Sequence, residues 1–235
     1  MNETLKVGGL TFEIRRSPRR KTLALAVERS GELAVYSPAA VDMQELARWT
    51  RGKLLWVHRK LAIKAELAGR VREPEFVSGE SFSYLGRTYL LKVVRGQAEP
   101  LRFDGRNFLL SEHARSEATD RFRRWYIDTG RKWLVERVAL LSRRAGAKPA
   151  QVHVRDLGYR WGSCGRNGVV YFNWRALQLP VRLIDYVVVH ELAHLVEASH
   201  GRAFWQILDR ALPQWRDRQE QLKFKAGELF WCGPQ

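Results

Sequence analysis

The strongest chemical signal in this 235-residue chain is the segment His190-Glu191-Leu192-Ala193-His194. On a helix, residues four apart lie one above the other on the same face, so the imidazoles at 190 and 194 can reach one metal ion. Glu191, beside the first of them, then points at a water on that metal and can serve as its general base. With six His and 17 Glu in the chain, chance produces this pattern in only about 1% of such compositions. The apolar run Tyr186-Val187-Val188-Val189 in front makes the helix central, which argues against a pair of surface histidines.

A catalytic zinc takes three protein ligands and keeps a fourth position for water. His200, six residues beyond His194 and just before Gly201, is the favoured third ligand, because the helix can end there and the chain turn back. A downstream carboxylate, Glu197, Glu220 or Glu228, is the rival. The His spacing matches HExxHxxGxxH, but position 197 is Glu rather than Gly, and both methionines, Met1 and Met43, precede the site. With no downstream Met-turn, the chain is not a metzincin. His58, His113 and His153 have no ligand spacing. Two cysteines, Cys164 and Cys232, exclude a four-cysteine zinc site and a disulfide framework.

Several elements must position these residues. Alternating apolar residues over 5–16 (Leu10, Phe12, Ile14) and 22–36 (Leu23, Leu25, Val27, Leu33, Val35) read as strands joined by a basic turn. Asp42 can cap a helix running to about residue 68. Strands follow over 82–94 and 101–110, and then a long helix over 113–145 with a buried stripe of Phe122, Tyr126, Trp133 and Leu140. Strands at 152–156 and 168–174 bracket the tight segment Tyr159-Arg160-Trp161-Gly162-Ser163-Cys164-Gly165. Pro180 opens the helix of the histidines, which runs to about residue 198, and further helices cover 202–212 and 214–225. The fold class is α+β: a β-rich N-terminal region with one inserted helix (1–112), followed by an α+β region (113–235). No internal repeat is visible.

The net charge is +16, and residues 1–150 carry 13 of those charges, outside the segment of the histidines. A surplus of this size favours polyanionic neighbours, nucleic acid among them, with a solvated basic face as the plain alternative. The basic side chains of the long helix, Arg121, Arg124, Arg131 and Lys132, are candidate phosphate contacts. The first residues lack the plan of a signal peptide, and no stretch approaches a membrane span, so no membrane partner and a cytoplasmic location are expected.

Taken together, Tyr159-Arg160-Trp161-Gly162-Ser163-Cys164, Asn173-Trp174, Asp185 through His194, and His200 with Phe204-Trp205 resemble the YgjP-like metallopeptidase family, a relative of the SprT-like zinc proteases. Tyr84-Leu85-Gly86-Arg87-Thr88-Tyr89 fits as well, so the similarity spans most of the chain. The resemblance implies zinc at His190, His194 and His200, the catalytic base at Glu191, and a minimal zincin fold with a short sheet above the metal helix.

The expected function is a zinc metallopeptidase that hydrolyses peptide bonds through a Glu-activated, zinc-bound water, with proteins or peptides as substrates and nucleic-acid-associated proteins among them. The strand at 168–174 would offer a free edge to an extended substrate. Trp161 and Asn173 are candidate substrate contacts at the rim, and Arg160, Tyr159, Tyr171 or Tyr186 could stabilise the oxyanion. Two other classes compete. One is a metal-dependent hydrolase of nucleoside triphosphates, which the many arginines suit but which has neither a Gly-rich phosphate loop nor a carboxylate cluster for Mg²⁺. The other is a nucleic-acid-binding module with a structural zinc, in which Glu191 has no role.

Overall fold

The computed structural model describes residues 3–27, 32–68, 74–158 and 160–226. They form a mixed α+β protein with three small sheets and six α-helices among the described residues. None of these helices is long and apolar enough to cross a membrane.

The chain divides into two compact units, one reaching to Val71 and one starting at Arg72. The first holds β1 (Thr4–Val7), β2 (Leu10–Ser17), β3 (Ala24–Val27), β4 (Leu33–Pro38), α1 (Met43–Arg51) and α2 (Leu54–Ala68). Its core gathers Leu5, Val7, Phe12, Ile14, Val35, Leu46 and Val57. Asp42 caps α1 as expected, its carboxylate accepting from the amides of Gln44 and Glu45 at 2.8 Å each. The single expected helix is two, because the chain turns at Gly52 between α1 and α2.

The second unit opens with β5 (Ser81–Tyr84), β6 (Arg87–Val94), β7 (Leu101–Phe103) and β8 (Asn107–Ser111), followed by a short 3-10 turn and α3 (Ala118–Ala145). Contacts divide the chain some forty residues before the 112/113 boundary read from composition and pattern. The reason is packing. Phe76, Phe82 and Phe108 share one core with Phe122 of α3, and the Phe82 and Phe122 rings stack at 4.3 Å.

The two four-stranded sheets have the same plan. Their orders are β1-β2-β4-β3 and β5-β6-β8-β7, each an antiparallel hairpin joined in parallel to a second antiparallel pair. Both first hairpins turn on two residues with positive φ, Gly8-Gly9 and Leu85-Gly86, the geometry that matches strand twist. The repeat lies in the pairing and not in the residue types.

On α3 the buried stripe runs through Phe122, Tyr126, Gly130, Leu134, Val138 and Leu141. This corrects the expected one: Trp133 is only partly buried and Leu140 is 58% exposed. The stripe passes through Gly130 because Leu177 fills the space of a side chain there; a β-carbon would lie 2.8 Å from its Cγ. Of the basic residues on α3, Arg121 pairs with Glu117, Arg123 with Asp120 and Arg137 with Asp185.

The third sheet has the order β10-β11-β9, from β9 (Gln151–Arg155), β10 (Gly162–Cys164) and β11 (Val169–Asn173). β11 is the central strand, antiparallel to β10 and parallel to β9. The expectation that 168–174 offers a free edge is therefore overturned, since both sides of β11 are paired and the edges of the sheet are β10 and β9. Helices α4 (Val181–His194), α5 (Arg202–Ala211) and α6 (Trp215–Ala226) complete the unit. Val188, Val189, Leu192 and Ala193 of α4 are fully buried, as a helix apolar on most sides must be. The Arg137 guanidinium clamps α4 to α3, donating to both oxygens of Asp185 at 2.6 and 2.7 Å.

Candidate metal centre

His190 and His194 stand one turn apart on α4, and the loop after the helix returns His200 to them. The ligand nitrogens of the three rings all lie within 4.8 Å of one another. Nε2 of His200 is 3.2 Å from Nε2 of His190, close to the ~3.3 Å that two nitrogens on one tetrahedral zinc would span. Nδ1 of His194 lies 3.2 Å from the carbonyl of Glu197. A proton on Nδ1 donated there leaves Nε2 with the lone pair a metal needs.

Phe204 of α5, fully buried, forms the floor. Its ring centroid is 5.0, 4.6 and 4.7 Å from those of His190, His194 and His200. The exposed His200 ring also stacks on Trp205 at 5.7 Å, and Trp205 stacks on Trp215 at 4.5 Å. Trp205 donates its indole proton to the His200 carbonyl at 2.9 Å. The third imidazole is thus held from both its main chain and its ring face.

Of the rival third ligands, Glu197 and Glu220 stand outside this group. The Glu197 carboxylate accepts from the amide and hydroxyl of Ser199, Glu220 is exposed on α6, and Glu228 falls outside the described residues. Among the described residues, the one group of His, Cys, Asp and Glu side chains placed to hold a metal is His190, His194 and His200. Cys164 is a free, partly buried thiol outside that group, its pKa raised by burial.

A cleft of about 760 Å³ opens over the histidines. β10 and its flanks form one wall, α6 supplies Gln219, Leu222 and Lys223 on another, and His190, Glu191 and His194 lie in the same cleft. Glu191 is 6% exposed. Its carboxylate accepts the Cys164 amide proton from the outer edge of β10 and feels the charge of Arg160. Gly162 lies directly against it: a β-carbon there would sit 2.5 to 2.8 Å from Cγ, Cδ and Oε1 of Glu191. Position 162 must lack a side chain for the carboxylate to occupy this place.

Burial pushes the Glu191 carboxyl up to about 7, against the opposing pull of the Cys164 amide and Arg160. Burial, aided by His194 and His200, takes His190 down to about 4. His194 is lowered as well, again mainly by burial. The His190 and His194 imidazoles are therefore held neutral, the form that binds metal. The raised carboxyl has a cost in the metal-free protein. The unfolded chain ionises Glu191 near its ordinary value of 4.5, so the stability that the neutral form contributes is present below that pH and lost as pH rises through 7. Glu191→Gln is expected to stabilise the metal-free protein by roughly 3 kcal/mol at pH 8 and to leave it unchanged at pH 4. Urea melts in the presence of a chelator measure this.

Asn173, expected at the rim, does not line the cleft. It is 2% exposed and its amide is used internally, Nδ2 donating to the carbonyls of Gly158 and Arg160 at 2.9 and 2.8 Å. Beside it the buried Arg175 guanidinium donates to Asp156 at 2.9 Å, and the other Asp156 oxygen accepts the Gly158 amide. Asn173, Arg175 and Asp156 together fix the loop that carries Arg160 and Trp161, and both of those do line the cleft. A polar residue at a strand end fits a rim or a clamp equally well, and the pairing of β11 decides for the clamp. Among the tyrosines, Tyr159 lies outside the described residues. Tyr171 stacks on His153 with Arg155 over its ring and is not a lining residue. Tyr186 lines the cleft, its hydroxyl accepting a proton from Nε2 of Gln219 at 2.9 Å.

Residues 21–225 match the family model described as "YgjP-like, metallopeptidase domain". The crystal structure of the metallopeptidase zymogen of Pyrococcus abyssi abylysin aligns with 38% of this chain and 91% of its own, at 20% identity and a TM-score of 0.36. No curated protein matches the chain.

Proposed function

The chain belongs to the YgjP-like metallopeptidase family, and from that premise we propose that it is a zinc peptidase of zincin-like fold whose metal ligands are His190, His194 and His200 and whose general base is Glu191. The observation that carries this reading is the meeting of three imidazoles, two of them held neutral by burial, beside one buried carboxyl that shares an open cleft with His190 and His194. Three nitrogen ligands with no thiolate suit zinc and leave a position for water.

Zinc, when bound, supplies a Lewis acid that acidifies a water and polarises a substrate carbonyl. The rest falls to the protein. Glu191, with a pKa brought close to neutrality, takes a proton from the attacking water and passes it to the leaving amine. Tyr186 receives a hydrogen bond from Gln219, so its own proton is free to be donated to the oxygen that gains charge. Burial raises the pKa of Tyr186, which keeps that proton in place. β10 is the edge strand beside the carboxylate, and an extended peptide can add as a further strand along the part of its outer side that Glu191 does not use. Trp161 would then lie along the bound chain.

The test is hydrolysis by zinc-loaded protein of an unfolded protein such as casein, alongside a nucleoside triphosphate. New amino termini from casein and no release of pyrophosphate are expected. Pyrophosphate release with casein intact would replace this reading with the phosphoanhydride one.

A further inference from the structure

Three cations line the cleft: Arg160 and Arg166, which bracket the edge strand β10 in sequence, and Lys223 on the α6 wall. Glu191 is the sole carboxylate among the lining residues. Some arginines of this unit are spent on carboxylates, Arg137 on Asp185, Arg175 on Asp156 and Arg216 on Asp209. Arg160, Arg166 and Lys223 have no ion pair among the described residues and are exposed to the cleft and solvent. Arg160 is also fixed at its base, since the buried Asn173 amide holds its carbonyl at 2.8 Å.

We propose that the cleft selects acidic peptide segments, with Asp or Glu side chains on the two sides of the bond to be cleaved answering Arg160 and Arg166 along β10 and Lys223 across from it. This rests on the peptidase reading above and adds the class of substrate. A chain laid along the β10 edge passes between cations on both walls, so carboxylates on it lose little solvation and gain several attractive partners. A basic segment meets the same three charges as repulsion. Arg160 and Lys223 are specificity residues here, and the proton chemistry stays with Glu191.

The test is a binding measurement on zinc-loaded Glu191→Gln protein, which cannot consume its ligand. Two short fluorescein-labelled peptides share an Ala-Leu-Ala centre, one flanked by Asp and Glu and the other by Lys, and anisotropy gives both affinities. The acidic peptide is expected to bind at least about tenfold more tightly. Arg160→Glu combined with Lys223→Glu should abolish or invert the preference. The chain's net charge of +16 would by itself attract an acidic peptide, so Arg143→Glu with Arg144→Glu, two exposed positions on α3, serves as the control and should leave the preference standing. Equal affinities, or equal losses in the cleft and control variants, would overturn the proposal. So would ATP binding that depends on Arg160 and Lys223 with no acidic peptide bound. Casein cleavage by the wild type without a charge preference would sink this inference alone. A charge preference without cleavage would sink the peptidase reading alone.

Discussion

Glu191→Gln is expected to keep zinc and fold and to lose peptide hydrolysis by about 10²-fold or more, the scale of removing a general base. The reasoning is local. Glutamine has the shape of glutamate and can still accept the Cys164 amide proton that reaches Glu191 from β10, so the carboxamide fits the place left by Gly162. What it cannot do is take a proton from water and return it to the leaving amine. Because the proposed metal ligands are other residues, zinc content and turnover should separate in this variant. Equal turnover in the variant and the wild type, at equal zinc, would remove Glu191 from the mechanism. A structural zinc site would show the same result, since it needs no base.

The second large effect is on the metal. The wild type is expected to retain about one zinc per chain through gel filtration, and His190→Ala, His194→Ala and His200→Ala are each expected to lose it, with activity lost in parallel. Removing one of three ligands leaves two, too few to hold the ion tightly. His200→Ala is the informative case, because His200 is exposed and comes from a loop rather than from α4. Beyond the other two imidazoles, its ring packs on Phe204 below and Trp205 beside it. Full zinc in His200→Ala, together with loss of zinc in Glu220→Ala or Glu228→Ala, would move the third ligand downstream.

The chemistry of this chain was more legible in its sequence than its architecture. The pair His190 and His194 reads directly from helical spacing, and His200 from the turn at Gly201. Alternation of apolar residues marked the strand regions at 5–16 and 22–36, although each holds two strands where one was expected, and Pro180 marked the start of α4. Other features depend on pairing between distant segments and leave little local trace. β10 is three small residues, Gly162, Ser163 and Cys164, with no apolar alternation, and only its pairing to β11 makes it the edge above the metal helix. The stripe of α3 slipped in phase because a glycine, Gly130, holds a core position while Leu140 stays outside. Phe204 lies ten residues beyond His194, and nothing in its spacing shows that it supports all three imidazoles. The shared plan of the two larger sheets is likewise written in register, since Phe12 and Leu5 pair in one as Tyr89 and Phe82 do in the other.

The proposed function requires that one metal at the three histidines make this cleft a hydrolytic site. The most direct test is to strip the protein with a chelator and titrate zinc back while following the appearance of new amino termini from casein. No hydrolysis is expected in the stripped protein, followed by a linear rise that saturates at about one zinc per chain. Hydrolysis that survives the chelator, or zinc that binds one to one without restoring it, would contradict the account.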